Sequence, residues 1–172
     1  MISNGSILKG IGGGMCQFTN LIHWLVLHTP LQITEHHHHD GIDLFPDYGR
    51  QIPFGTGTSI VFNYLDYRFK NTTDITFQLI TYTKEDYLCG EIRADKSLNF
   101  KYHIKAEEEF FSEEHTQVYR NGKIYRYCID TKTGKLLSKE LIKTNHAKVM
   151  YDLNNVDFVQ YESNEENTKW GI

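Results

Sequence analysis

The chain has 172 residues, of which 40% are hydrophobic and 13% aromatic, and its formal net charge is −4 at pH 7. These values predict a folded, β-rich domain with an adequate core, and they exclude an intrinsically disordered chain. The acidic balance argues against general nucleic-acid binding, which needs a basic surface. Three cysteines do not make the even-numbered framework of a disulfide-stapled protein.

The first predicted elements are a short hairpin and a helix. Residues 3–5 read Ser-Asn-Gly, which is typical of a tight turn. A glycine-rich stretch over residues 10–14 follows, and a helix is predicted from Cys16 to about Thr29, where Pro30 ends it. The apolar residues of this segment recur with the i, i+3, i+4, i+7 spacing of an amphipathic helix, at Phe18, Leu21, Ile22 and Leu25.

Residues 31–39 alternate with a period of two, which predicts a strand. Leu31 and Ile33 lie on one face of this strand, and His37 and His39 continue the same face. If the apolar end of that face packs on the helix, the two histidines lie on the inner side of the protein.

The rest of the chain has the pattern of an antiparallel β-sheet. Residues 41–57 are rich in Gly, Pro and Asp and predict an irregular loop. Turns are predicted at residues 71–74 and 133–134, and the Asn-Gly pair at 121–122 is a strong hairpin signal. The predicted strands cover residues 58–70, 75–83, 86–94, 99–106, 116–120, 123–130 and 135–143. The predicted fold class is α+β, with one N-terminal helix packed on a mostly antiparallel β-sheet.

Cys16 is the strongest candidate for a reactive residue. It lies where a glycine-rich turn meets the predicted start of the helix, and the free N–H groups of a helix N-terminus favour a thiolate. Residues 35–40 read Glu-His-His-His-His-Asp and supply possible bases. A cysteine with a histidine nearby is the working pair of cysteine acyl-transfer enzymes. The alternative is that Cys16 is a small apolar residue packed beneath the turn.

The histidine run also raises the question of a metal site. Two histidines two residues apart on a strand can chelate zinc, with Cys16 or Glu35 as a third ligand. The chain contains neither a CxxC pair nor an HExxH segment, and the glycine string lacks the Lys-Thr ending of a Walker loop. Neither a metal nor another cofactor is therefore predicted, and a histidine-based metal site stays an alternative.

Four motifs, in the same order as in the VanW family, occur within about 60 residues and resemble that family. The family pattern is GGGxCQ, an ERHxHS-like segment, a Gly-Arg loop and D-x-x-F-K-N. The corresponding segments here are Gly12-Gly13-Gly14-Met15-Cys16-Gln17, residues 35–40, Gly49-Arg50 and residues 66–71. His36 replaces the arginine of the second motif, and Asp40 replaces its serine.

The resemblance implies a cysteine enzyme of the bacterial cell wall that joins peptidoglycan stem peptides as an L,D-transpeptidase does, with a link to glycopeptide resistance. Cys16 would be the nucleophile and His37 or His39 the base. Counting from Glu35 selects these two histidines, as the alternation does, whereas counting back from Asp43 favours a different pair. Further implied roles are an oxyanion site at the N–H groups of Cys16 and Gln17, substrate binding by Arg50, Gly13 and Gly14, and orientation of the histidine by Asp66 or Asp43.

A single VanW-like domain is expected over residues 1–151, with the motif core at 10–71, a β-rich part at 72–151 and a polar, loosely held tail at 152–172. The competing hypothesis is a non-catalytic cell-wall accessory module with a structural Cys16. Expected partners are peptidoglycan stem peptides or precursors and no nucleic acid. No transmembrane segment and no secretory signal are visible in the sequence. Location in the cell envelope is expected if the wall is the substrate, and in the cytoplasm if the N-terminus is complete.

Overall fold

The computed structural model describes residues 2–3, 6–7, 14–38, 41–44, 46, 52–153 and 160–161. Within these residues the chain forms one helix, α1 (Met15–Leu27), and eleven strands. The strands are β1 (Ile2–Ser3), β2 (Ser6–Ile7), β3 (Gln32–Glu35), β4 (Ile42–Asp43), β5 (Arg68–Lys70), β6 (Phe77–Lys84), β7 (Tyr87–Ala94), β8 (Phe100–Glu114), β9 (Gln117–Asp130), β10 (Leu136–Val149) and β11 (Gln160–Tyr161). One helix and a majority of β structure confirm the α+β class. No helix of the described residues has both the length and the apolar character needed to span a membrane.

The chain divides into two compact units. Unit 1 comprises Met1–His39, Thr56–His103 and Tyr127–Ser138, and unit 2 comprises the remaining segments, Asp40–Gly55, Ile104–Arg126 and Lys139–Ile172. The three long strands β8, β9 and β10 each contribute residues to both units. The expected tail at 152–172 lies mostly outside the described residues.

Helix α1 begins and ends where local sequence predicts. Gly14 occupies the position before the helix with φ of +87°, a conformation that glycine adopts without steric cost. At the other end, the N–H groups of His28 and Thr29 donate to carbonyls of the last turn, at 3.1 and 3.0 Å. Pro30 follows directly, so the predicted helix is confirmed to within two residues at either end.

The β6–β7 hairpin of unit 1 lies against α1. Gly90 of β7 has no side chain, and a Cβ atom built there would come within 2.9 Å of Leu25 Cδ1 and 3.1 Å of Leu21 Cδ2. The helix therefore approaches the backbone of β7 closely through these two leucines. Cys89, the neighbour of Gly90, is half-buried, whereas Cys128 of β9 is buried.

Strand β3 pairs with β5 in an antiparallel ladder that contains a β-bulge. Ile33 is opposite Phe69, and Glu35 is opposite Arg68, so Thr34 is the extra residue. The prediction of one strand over 58–70 is wrong for most of its length. Residues 61–65 form a tight turn closed by a bridge between Val61 and Leu65, and the strand forms only at Arg68–Lys70.

The hairpin predicted at Asn121-Gly122 is also wrong. Strand β9 passes through both residues, and the turn between β8 and β9 lies at His115 and Thr116, with φ of +47° and +65°. Gly122 is needed for close packing instead, because a Cβ atom there would lie 3.1 Å from Glu109 Cγ of β8. The strand order β11-β8-β9-β10-β4 includes two parallel pairs, at β11 with β8 and at β4 with β10.

Candidate functional site

Cys16 lies in the first turn of α1. The carbonyl of Gly14 accepts the N–H of Phe18 at 3.0 Å, which starts the helical hydrogen bonding. No side chain caps this end, and no acidic residue lies in the first turn. The N–H groups of Met15, Cys16 and Gln17 therefore have no acceptor within the helix. Such an end attracts anions. Cys16 is half-buried and Gln17 is exposed.

One face of α1 carries Cys16, Asn20 and His23, because residues spaced by four and three positions overlie one another on a helix. Asn20 Oδ1 accepts the N–H of Thr58 at 2.7 Å, and His23 stacks on His36. This face is therefore directed at the segments that follow β3 and precede the turn at 61–65. Among the residues that the structure describes, Cys16 makes no hydrogen bond to a histidine. His23 itself lies two helical turns away, roughly 10 Å along the axis.

His23 is buried, with 1% of its surface exposed. Its Nδ1 lies 3.0 Å from the hydroxyl of Tyr67, and its ring stacks on that of His36 with 4.5 Å between centroids. Burial, with smaller contributions from His36 and His38, lowers the pKa of His23 from 6.5 to about 3. Burial also raises the pKa of Tyr67. Both side chains are therefore neutral at physiological pH.

The structure places His36, rather than His37, against the helix. The β-bulge between Ile33 and Glu35 shifts the alternation by one residue, so the face that begins at Leu31 continues at His36. His36 Nε2 donates to the carbonyl of Gly57 at 3.0 Å. The expectation that His37 continues the inner face is therefore wrong. Its role as a base stays a prediction.

His37 forms a pair with Glu35. Its Nε2 lies 3.0 Å from Glu35 Oε1, and both side chains are about one-third exposed, at 35% and 30%. Glu35 also accepts the N–H of Asp66 at 3.3 Å and lies 3.2 Å from Arg68 Nε. The hydrogen bond from His37 holds the pKa of Glu35 below its usual range, and the backbone N–H of Asp66 and the charge of Arg68 add to this effect. A carboxylate in this position fixes the orientation of an imidazole ring.

The contact between Glu35 and His37 was not among the roles predicted from the sequence. The sequence did indicate this contact, because Glu35 and His37 are two residues apart, and residues i and i+2 of an extended segment point to the same side. The backbone of His37 is fixed as well. Its carbonyl accepts the N–H of Ser59 at 2.8 Å and the hydroxyl of Thr58 at 3.1 Å.

The other predicted site residues are placed as follows. The Asp66 carboxylate pairs with Arg68 at 2.6 Å and lies next to Glu35. Asp43 belongs to unit 2, where it is buried, lies 3.6 Å from Arg120 Nη1 and accepts the hydroxyl of Tyr151 at 2.9 Å. Three predicted residues lie outside the described part of the chain: Gly13, His39 and Arg50. Within residues 14–38, 41–44, 46 and 52–153, no group of three or more His, Cys, Asp or Glu side chains has the geometry to hold a metal ion.

The fold and site define an α+β protein with a cysteine at an uncapped helix start and a Glu–His pair at the end of β3. A family model described as VanW like protein matches residues 1–93, which is more than half of the chain. The chain belongs to the VanW family. It is 30% identical over 152 residues to the vancomycin B-type resistance protein VanW of Enterococcus faecalis, covering 88% of this chain and 55% of that protein. The chain therefore spans about half the length of this curated relative. No solved structure matches the chain.

Proposed function

We propose that this protein is a cysteine-dependent acyltransferase that acts on peptidoglycan stem peptides or their precursors, in the manner of an L,D-transpeptidase. Its role would be cell-wall remodelling linked to vancomycin resistance. The similarity to a vancomycin B-type resistance protein supports the biological setting. The observation that carries the chemistry is the position of Cys16 in the first turn of α1, beside N–H groups that no side chain caps.

In the proposed reaction, Cys16 Sγ attacks the acyl carbon of the donor stem peptide. The amide bond to the terminal D-amino acid breaks, and a thioester forms on Cys16. His37 gives its proton to the departing amine and later takes one from the acceptor amine, which attacks the thioester and releases the thiolate. The N–H groups of Cys16 and Gln17 receive the developing oxyanion, and loss of one such donor typically costs about 3 kcal/mol.

Further site residues belong to the same proposal. Glu35 orients His37, as the distance of 3.0 Å between their side chains supports. His39 is the alternative base, and Asp66 or Asp43 an additional orienting group. Arg50 binds a substrate carboxylate through its guanidinium fork, and Gly13 and Gly14 allow the substrate to approach the backbone.

We further propose that a single VanW-like domain covers residues 1–151, with the tail at 152–172 outside it. The match of the family model to residues 1–93 supports the N-terminal part of this domain. The approach of Leu21 and Leu25 to Gly90 supports a helix packed on antiparallel strands.

One observation favours a second candidate, a non-catalytic cell-wall accessory module in which Cys16 is structural. Cys16 makes no hydrogen bond to a histidine within the described residues, and such a contact is common between a nucleophile and its base. The two candidates differ in whether Cys16 is needed for a chemical reaction.

A transfer assay separates them. The full chain is incubated with a stem tetrapeptide as donor and a stem peptide with a free side-chain amine as acceptor, and the cross-linked product is measured by mass spectrometry. We expect product with the wild type and at least a hundredfold loss with Cys16→Ala. Cys89→Ala, at a half-buried cysteine of β7, is the matched control and should retain activity. Product formation that survives Cys16→Ala would refute the proposal.

A further inference from the structure

Two aromatic side chains project from the turn after the Glu35–His37 pair. Phe62 is 89% exposed and Tyr64 is 83% exposed. Their sequence neighbour Val61 is 43% exposed, so three large apolar side chains within four residues present surface to solvent. Folded proteins rarely expose large aromatic side chains together unless the surface binds something. Residues 60–65 are called the aromatic loop below.

The aromatic loop has a defined backbone. The N–H of Val61 donates to the carbonyl of Leu65 at 3.0 Å, and the N–H of Leu65 donates back to the carbonyl of Val61 at 2.9 Å. Asn63, at the tip, has φ of +62°, a left-handed conformation that asparagine adopts more readily than most residues. The backbone that carries the two aromatic residues is therefore fixed, which lowers the entropic cost of binding a ligand.

Both ends of this loop are attached to the candidate site. On one side, the N–H of Ser59 donates to the carbonyl of His37 at 2.8 Å. On the other side, the N–H of Asp66 donates to Glu35 Oε1 at 3.3 Å. A ligand on Phe62 and Tyr64 would therefore lie beside the Glu35–His37 pair.

The charge of the segment indicates which kind of ligand fits. Residues 52–67 contain no Lys or Arg, and Asp66 is their only charged residue. A loop that inserts into an anionic membrane surface needs basic residues beside its aromatic ones. Stem peptides carry carboxylates, and the next cation along the chain, Arg68, already pairs with Glu35 and Asp66. A neutral ligand with apolar faces and hydroxyl groups fits better, because the C–H face of a sugar ring stacks on an aromatic ring.

We propose that Phe62 and Tyr64 bind the glycan strand of peptidoglycan, a polymer of β-1,4-linked N-acetylated amino sugars. Each aromatic ring stacks on one sugar face, and the adjacent Asp66 accepts hydrogen bonds from sugar hydroxyl or amide groups. Binding of the strand would hold an attached stem peptide next to Glu35 and His37. This inference rests on the proposed cell-wall substrate and adds the part of that substrate that the loop recognises.

The test measures binding of the full chain to the β-1,4-linked tetramer of N-acetylglucosamine by isothermal titration calorimetry. We expect saturable binding by the wild type, about five- to tenfold weaker binding for Phe62→Ala or Tyr64→Ala, and none for the double variant. Tyr87→Ala removes another exposed aromatic ring of unit 1, 70% exposed, and should bind as the wild type does. Circular dichroism verifies that each variant is folded.

Two further measurements separate the possible failures. Cys16→Ala should bind the tetramer as the wild type does, because binding needs no nucleophile. If tetramer binding depends on Phe62 and Tyr64 while acyl transfer is absent, the transferase proposal fails and this one stands. Absence of wild-type binding to the tetramer, or equal binding by the double variant, overturns the glycan proposal. Loss of binding to phosphatidylglycerol vesicles in the double variant, with no tetramer binding by the wild type, would assign the loop to membranes instead.

Discussion

The carboxylate of Glu35 contacts two side chains and one backbone group of the candidate site. It pairs with the side chains of His37 and Arg68, and it accepts a hydrogen bond from the backbone N–H of Asp66. Because the pKa of Glu35 is lowered, chiefly by the hydrogen bond from His37, the carboxylate stays charged to a lower pH than a free glutamate. The pair therefore contributes to stability at neutral pH, and this contribution is lost as the pH falls through the lowered pKa of Glu35.

Replacing Glu35 by glutamine tests this arrangement. The amide keeps the shape of the side chain but removes the charge that orients and stabilises the imidazolium of His37, so we expect acyl transfer to fall by roughly tenfold to a hundredfold. Glu91→Gln is the control, since Glu91 forms a comparable ion pair with Arg93 on β7. The initial rate of cross-linked product is the readout. Equal rates for the wild type and Glu35→Gln would contradict an orienting role.

His23 gives a prediction for acid stability. Its folded-state pKa of about 3 is below the ordinary histidine pKa of 6.5, so between these values the unfolded chain binds a proton that the folded chain does not. The free energy of unfolding should therefore fall with decreasing pH below about 6.5, by up to about 1.4 kcal/mol for each pH unit from this group. His23→Phe, which keeps a ring stacked on His36, should reduce this slope. Urea unfolding at pH 7, 5.5 and 4.5 measures it, and identical slopes would contradict the buried neutral histidine.

At the scale of secondary structure, an element could be predicted from the sequence when contacts between residues close in the chain determine it. Helix α1 follows from its own apolar spacing and from Pro30, so its bounds were accessible from the sequence. The bulge in β3 was not, because it is defined by pairing with β5, far along the chain. Because of that one extra residue, His36 lies on the inner face in place of the predicted His37. The turn predicted at Asn121-Gly122 was wrong for the same reason, because packing of Gly122 against β8 overrides the turn preference of this pair.

The contact of α1 with β7 can be tested at Gly90. Gly90→Val places methyl groups where Leu21 and Leu25 already lie, so we expect the free energy of unfolding to fall by about 1–3 kcal/mol. The control is Ala94→Val, which also enlarges a β7 residue but at an exposed position. Urea denaturation monitored by tryptophan fluorescence gives both values. A Gly90→Val protein as stable as Ala94→Val would contradict the close approach of the helix.

At the scale of the whole molecule, the two units differ in what stabilises them. Unit 1 contains α1, and the β6–β7 hairpin packs against this helix. Unit 2 contains a buried ion pair between Asp43 and Arg120, whose side chains are only 3% and 9% exposed. Removing one partner of such a pair weakens the compensation of a buried charge, although Arg120 would keep its contact with Glu109 Oε1 at 3.3 Å. The sequence presented Asp43 as a candidate for orienting a histidine, and its burial with Arg120 is a tertiary feature that no local pattern reveals.

Asp43→Asn distinguishes a structural from an orienting role. We expect the substitution to lower the free energy of unfolding by about 1.5–3 kcal/mol, because Arg120 loses a buried charged partner while it keeps Glu109. Asp74→Asn, in the exposed pair with Lys96, is the matched control and should cost less than about 1 kcal/mol. Chemical denaturation measures both. Unchanged stability together with slower acyl transfer would contradict the structural role and favour the orienting one.

Formation of a covalent bond between Cys16 and its substrate can be detected by mass spectrometry of the intact protein. The full chain is mixed with a stem tetrapeptide donor in the absence of acceptor, and the reaction is quenched in acid within seconds. The mass of the intact protein is then measured. We expect a mass increase equal to the donor acyl group, mapped to the peptide that contains Cys16 and absent from Cys16→Ala. Donor consumption without this adduct, or an adduct on another residue that persists in Cys16→Ala, would contradict it.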